Sequence, residues 1–149
     1  MSDPSCPSFL ADTRVEFSDT DAAGLLHFST YFRFMELAEA ALFRELDIPL
    51  LSESKGEFYG FPRIDVNCRF SKPLYFQDKV MIETQIKDLD SHSITYQFKF
   101  FRGQIHADTK TAKGSMRVAF VQKAEDGKSL IKSEIPQDWI SRLQTYHSA

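Results

Sequence analysis

The residues best equipped for chemistry gather in one short run, Asp19-Thr20-Asp21-Ala22-Ala23-Gly24-Leu25-Leu26-His27-Phe28, directly before the only long helical pattern in the chain. The first turn of a helix presents backbone N–H groups that lack an intrahelical acceptor, together with the positive end of the helix dipole. A carbonyl aimed at them has its developing oxyanion stabilised, and loss of one such donor typically costs about 3 kcal/mol of barrier. A carboxylate beside that carbonyl can attack its carbon or activate a water. Gly24 allows the loop to bend back so that Asp21 faces the helix end, whereas Asp19 lies closer to the preceding strand and is the weaker candidate. Two residues apart on an extended segment, both side chains can point the same way, and their repulsion would then raise a pKa. The plainer reading of the same residues is an Asx-turn loop that caps the helix, with Gly24 supplying a positive φ.

Other chemistries built on these residue types do not fit. Asp19, Asp21 and Gly24 fill positions one, three and six of a calcium loop, but the closing position falls on Thr30, where a bidentate Glu is needed, and the segment in front is a strand pattern. An Asp-x-Asp phosphatase motif fails at Ala23 and lacks the doubly wound sheet such enzymes use. No Gly-x-Ser-x-Gly elbow, phosphate loop, dinucleotide fingerprint or zinc-spaced Cys/His cluster occurs in the sequence.

The helix that must carry the loop begins near Phe28 to Thr30, with Ser29 or Thr30 as the capping candidate. Tyr31, Met35, Ala38, Leu42 and Leu46 recur at three- and four-residue spacing, and Phe34, Leu37 and Ala41 widen the apolar stripe. Asp47-Ile48-Pro49 ends it. Ahead of the loop, Arg14-Val15-Glu16-Phe17 alternates as a short strand, and residues 1–12 read as a flexible tail before a single domain over 13–149. Residues 50–61 read as a loop. Beyond it the pattern has period two: Ile64, Val66, Cys68 and Phe70; Val80, Ile82, Thr84 and Ile86; Ile94, Tyr96, Phe98 and Phe100. Ile105, Ala107 and Thr109 begin a further strand, which Gly114 interrupts as a bulge and Met116, Val118 and Phe120 continue. Glu125-Asp126-Gly127-Lys128 is a turn, and Pro136-Gln137-Asp138-Trp139 opens a short final helix with Ile140 and Leu143 inward. One-sided strands need a cover, which predicts an α+β fold: a curved antiparallel sheet of about five strands wrapped around one long central helix. Its two bare edges predict self-association, at least as a dimer.

The bulk properties agree with one ordinary globular domain. The chain has 149 residues, 42% hydrophobic and 26% charged, a formal net charge of −3, and fourteen Phe, which predict an aromatic core, pocket or subunit contact. Without a basic run it does not read as a nucleic-acid binder, and no apolar run spans a bilayer. The N-terminus has no signal-peptide pattern, and Cys6 and Cys68 read as free thiols, which together predict a cytoplasmic protein.

Three segments, in order along residues 13–145, resemble a known family. Asp19 through Tyr31, followed by Phe34-Met35-Glu36, resembles the signature of hotdog-fold acyl-CoA thioesterases, in particular the 4-hydroxybenzoyl-CoA thioesterase family and its YbgC-like bacterial branch. Phe70-Ser71-Lys72-Pro73-Leu74-Tyr75-Phe76-Gln77-Asp78 is similar to its Tyr-x-x-Pro…Asp segment, with Phe70 in place of Tyr, and Ile135–Trp139 to its C-terminal helix start. The resemblance implies hydrolysis of an acyl-CoA to a carboxylic acid and free CoA. No cofactor is implied, coenzyme A being part of the substrate. It implies a catalytic carboxylate at Asp21 as nucleophile or general base, an oxyanion-binding backbone N–H at Phe28, and a site at a dimer interface, often within a tetramer. His27-Phe28 departs from the Tyr-His of YbgC-like members, so His27 is either a substrate contact or a loop residue. Tyr31 is an acyl contact or core, and Asp19 and Gly24 shape the loop. Glu36 reads as a solvated charge or interface partner. The alternatives are a hotdog hydratase or dehydratase, which needs a His acting with an acid, and a non-catalytic module binding an acyl thioester or a protein partner.

Overall fold

In the computed structural model, which describes residues 7–52 and 58–148, five antiparallel strands form one sheet in the order β1-β4-β5-β6-β3. They are β1 (Phe9–Arg14), β3 (Arg63–Phe70), β4 (Lys79–Leu89), β5 (Ser93–Arg102) and β6 (Lys110–Ala119). Helix α1 (Thr30–Glu45) follows β1, and α2 (Gln137–Leu143) lies near the C-terminus. A second, three-stranded sheet consists of β2 (Tyr59–Gly60), β7 (Val121–Lys123) and β8 (Leu130–Lys132), in the order β2-β7-β8. These strands are too short to leave a period-two signal in the sequence. The β7–β8 turn is the expected one, closed by the Asp126 carboxylate accepting from Lys128 and Ser129 N–H, both at 2.8 Å.

The period-two reading of β4 and β5 holds. Val80, Ile82, Thr84 and Ile86 and, opposite them, Ile94, Tyr96, Phe98 and Phe100 are all fully buried. They form one core with Tyr31, Phe34, Met35, Ala38, Leu42 and Phe43 of α1, so the apolar stripe of the helix covers the inner face of the sheet. Each fully buried Phe or Leu contributes about 1.5–3 kcal/mol relative to exposure, and this aromatic core is the main support of the loop ahead of α1.

Several details differ from the sequence reading. The first strand lies at Phe9–Arg14 and begins four residues inside the stretch 1–12 read as tail: Phe9, Ala11 and Thr13 alternate with exposed Leu10, Asp12 and Arg14, and all six pair with β4. Residues 1–6, with Cys6, lie outside the described residues, as does Gly56 of the loop over 50–61. Of the strand expected over 14–17 only Arg14 lies in a strand, and Phe17 opens a 3-10 turn, Phe17–Asp19, because the Asp19 carboxylate accepts from Glu16 N–H at 2.8 Å and folds the chain back. β6 starts at Lys110 because His106 Nδ1 accepts from Asp108 N–H at 3.1 Å and makes a turn of Ala107–Thr109. Gly114 is no bulge; it sits in register opposite Cys68 and Phe98, and a Cβ there would lie 2.2 Å from Met35 Cε. Glycine is required at that position by the close approach of the helix.

A further difference reverses two side chains. A register irregularity between Arg63 and Asp65 puts Arg63 opposite Val118, a core residue. Arg63 therefore turns towards the helix, while Ile64, expected inside, is exposed.

Candidate active site

The loop between β1 and α1 is closed on itself and pinned to its neighbours. Thr20 and Leu26 form a β-bridge, and Asp21 N–H donates to Leu25 O at 2.7 Å. Leu26 N–H donates to Leu74 O at 2.8 Å, and Leu25 bridges Tyr75. At the base, Asp19 O accepts from His27 N–H at 2.8 Å and from Thr30 Oγ1 at 3.2 Å. Gly24 has φ +82° and an added Cβ would meet nothing, so its role is conformational, as expected.

The two carboxylates occupy different surroundings. Asp19 is buried; one oxygen pairs with Arg33 of α1 and the other accepts from Glu16 N–H. Asp21 is half-buried. Its Oδ1 accepts from Ala23 N–H at 2.9 Å and Leu25 N–H at 3.1 Å, while Oδ2 accepts no hydrogen bond among the described residues. The carboxylate is thus anchored by one oxygen and open at the other. The anchoring bonds are those of the Asx-turn.

At the helix entrance, Ser29 occupies the N-cap position without a side-chain cap bond. His27 does the capping: its Nδ1 accepts from Ser29 N–H at 3.2 Å and lies 2.7 Å from Ser29 Oγ. The His27 ring stacks on Phe28 at 4.6 Å between centroids. Phe28 N–H has no acceptor among the described residues, and the Phe28 side chain is 61% exposed. Tyr31 belongs to the core: its hydroxyl donates to Thr111 Oγ1 at 3.2 Å, its ring meets Phe100 edge-on at 4.9 Å, and burial raises its pKa. The ring also meets Phe70 at 5.2 Å, a side chain that is half exposed, so Tyr31 is one ring removed from solvent.

Two turns further along α1 lies a cluster that the sequence reading does not single out. Glu39 is fully buried, with its oxygens 2.7 and 3.2 Å from the Arg63 guanidinium. Burial pushes its carboxyl pKa up, against the opposing pull of Arg63. Glu36, exposed, reaches the same guanidinium at 3.5 Å. The Tyr96 hydroxyl is buried close enough to Glu39 for the carboxylate to add to the desolvation that pushes its pKa well up, although the two do not meet hydrogen-bond geometry. The signal that marks Glu39 is its place in the apolar stripe, three residues from Leu42 and four from Met35. Cys68, nearby on β3, is pushed up to about 11 by burial and is no nucleophile at neutral pH.

A family model described as the thioesterase-like superfamily matches residues 15–143. The 4-hydroxybenzoyl-CoA thioesterase of Pseudomonas sp. is 28% identical over 143 residues, which cover 89% of this chain and 95% of that protein. A 1,4-dihydroxy-2-naphthoyl-CoA hydrolase of Nostoc punctiforme is 26% identical over 140 residues, covering 93% and 88%. Among solved structures, a mutant 4-hydroxybenzoyl-CoA thioesterase complexed with 4-hydroxybenzoyl-CoA superposes with a TM-score of 0.78 at 24% identity, covering 91% of this chain and 98% of that one. That likeness establishes the α+β hotdog fold. Together with the family match, it places the chain in the thioesterase-like superfamily and makes it by class a thioester hydrolase.

Proposed function

We propose that the protein hydrolyses an acyl-CoA to the carboxylic acid and free CoA, with Asp21 as the catalytic carboxylate and Phe28 N–H as the oxyanion donor. The observation that carries this reading is the pair of open valences on the loop: Asp21 Oδ2, on a carboxylate fixed through its other oxygen, and the unpartnered Phe28 N–H. Both relatives above are named for CoA thioesters of aromatic acids, which favours CoA as the carrier.

In the general-base form, Asp21 Oδ2 takes a proton from water as the oxygen bonds to the thioester carbon. Phe28 N–H holds the resulting oxyanion, at the positive end of α1. Collapse of the intermediate breaks the C–S bond, and the departing thiolate takes the proton. In the nucleophilic form Asp21 attacks the thioester carbon directly, the C–S bond breaks and CoA leaves as a thiolate that takes up a proton, and water then opens the resulting mixed anhydride at the Asp21 carbonyl, freeing the carboxylic acid. Oxygen-18 from labelled water found in Asp21 after one turnover selects the second form. Neither form needs a cofactor beyond the CoA of the substrate.

We also infer that the working unit is at least a dimer. β3 is an edge strand with no strand beyond it among the described residues, and Phe70 on it is 49% exposed on the side facing the helix. A second copy pairing there would cover both.

The test is thiol release from a panel of aryl- and alkanoyl-CoAs. Asp21→Asn keeps an amide oxygen that can accept both loop N–H bonds, so it removes charge without removing the turn. We expect kcat to fall by about 10²–10⁴-fold, the usual worth of positioned acid–base catalysis, with the melting temperature little changed. Full activity in a folded Asp21→Asn variant rules the mechanism out.

A further inference from the structure

The start of α1 carries a cation where a helix favours an anion. Arg33 lies beside the first turn, at the positive end of the dipole, and that turn holds no acidic residue. One contact offsets the placement: the guanidinium pairs with the Asp19 carboxylate, whose side chain is 6% exposed. The guanidinium also lies over the ring of fully buried Phe34, 5.3 Å from its centroid. Arg33 is thus held from two sides, although its own side chain is exposed.

Asp19 in turn ties together the segments that carry the two open valences. Its second oxygen accepts from Glu16 N–H at 2.8 Å, which fixes the outgoing arm of the loop just ahead of Asp21. Its carbonyl oxygen accepts from His27 N–H at 2.8 Å, which fixes the returning arm next to Phe28. The same oxygen accepts from Thr30 Oγ1 at 3.2 Å, at the first residue of α1. Any retreat of Asp19 therefore moves Asp21 and Phe28 N–H relative to each other. A buried carboxylate without a partner is drawn towards water, and Arg33 is the cation that keeps this one in place.

We propose that Arg33 is a positioning residue for hydrolysis: through Asp19 it sets the spacing of Asp21 Oδ2 and Phe28 N–H. The inference rests on the thioesterase reading above. Among the described residues Arg33 bonds to Asp19 and to neither reacting group. Its effect falls on the geometry of attack, where a displacement of about 1 Å can cost about 10²-fold in rate.

The experiment compares Arg33→Ala with Arg63→Ala, which strips the buried Glu39 of its partner further along the same helix. Both are assayed by thiol release well below their melting temperatures. We expect Arg33→Ala to lose about 10–100-fold in kcat with KM nearly unchanged, the mark of an interaction that serves the transition state. Arg63→Ala should lose stability and keep kcat. Arg33→Lys keeps the charge without the planar fork and should recover part of the loss. Asp19→Asn keeps an oxygen for Glu16 N–H but no charge. Combined with Arg33→Ala, it should lose no more than the worse of the two single variants. A folded Arg33→Ala with full kcat overturns the proposal. So does a loss confined to KM, which would make Arg33 a substrate contact, or an equal kcat loss in Arg63→Ala, which would make the effect a general loosening of the helix. Amide exchange followed by NMR needs no turnover and separates the two readings. In Arg33→Ala, His27 N–H should exchange about tenfold faster or more relative to the amides in the middle of α1. Unchanged protection there overturns the positioning role. Faster exchange beside full activity in Asp21→Asn supports Arg33 as the brace of the loop and removes only the catalytic role of Asp21.

Discussion

The two ends of the α1–β3 contact treat carboxylates in opposite ways. At the entrance, Asp21 is half-buried, anchored through Oδ1 by two backbone N–H groups and open at Oδ2. Two turns beyond Tyr31, Glu39 is fully buried and both its oxygens hold Arg63. Burial raises the pKa of Glu39. Perturbed pKa values often mark active sites, but structural ion pairs perturb them too. Here the displaced group is the structural one, with both oxygens already engaged. Under the proposed mechanism the acting carboxylate is instead Asp21, fixed through one oxygen and open at the other.

The sharpest way to break this contrast is Arg63→Ala. If Glu39 is structural, removing its partner leaves a buried unpaired carboxylate and costs about 3 kcal/mol of stability, the lower end of the range for broken buried pairs because Arg63 is 30% exposed. Urea denaturation measures it, and the double Leu variant, Glu39→Leu with Arg63→Leu, should lie within about 1 kcal/mol of wild type, since apolar replacements of whole buried pairs are often neutral. A loss in Arg63→Ala no greater than in the double variant would show that the charge is not buried in effect. Gly24→Ala probes the other end. At φ +82° a Cβ costs about 1–2 kcal/mol, and the strain falls on the loop that aims Asp21. Its expected signature is a kcat loss larger than the stability loss, with Gly24→Asn recovering part of both; equal losses in the two would make Asp21 a loop cap and nothing more.

Which parts are legible in the sequence follows from the length scale of each signal. β4 and β5 can be read because their alternation runs for eight residues or more between clear turns, and α1 because its stripe has no Gly or Pro to interrupt it. β1 escapes because Phe9, Ala11 and Thr13 carry only weak alternation downstream of two prolines, and its place depends on an open edge of β4. Asp21 and Gly24 stand out because an Asx-turn is a local device: carboxylate and N–H donors lie within four residues of each other. The Arg63–Glu39 pair does not, because it needs two non-local facts. A one-residue irregularity after Arg63 turns that side chain inward, and only then does the carboxylate in the apolar stripe gain a partner. Gly114 reads as a bulge for the same reason: the Met35 side chain that requires it belongs to a distant stretch of the chain.

The smallest expected effect concerns pH and bears on Glu39 alone. Its folded-state pKa lies above the ordinary value of 4.5, because burial disfavours the charged form more than Arg63 favours it. The folded state then binds a proton more tightly than the unfolded chain does. The resulting stabilisation is fully present below the unfolded pKa and is lost as pH rises through the folded one. Other carboxylates shift the stability curve as well; Asp90 is lowered by the His92 and Ser93 N–H groups and acts in the opposite sense. The informative quantity is therefore the difference in melting temperature between wild type and the double Leu variant, in which only the pair is changed. That difference should move against the wild type from below the ordinary carboxylate pKa upwards, and level off once Glu39 is ionised in the folded state. A difference flat across that range would mean that Arg63 compensates the buried charge in full.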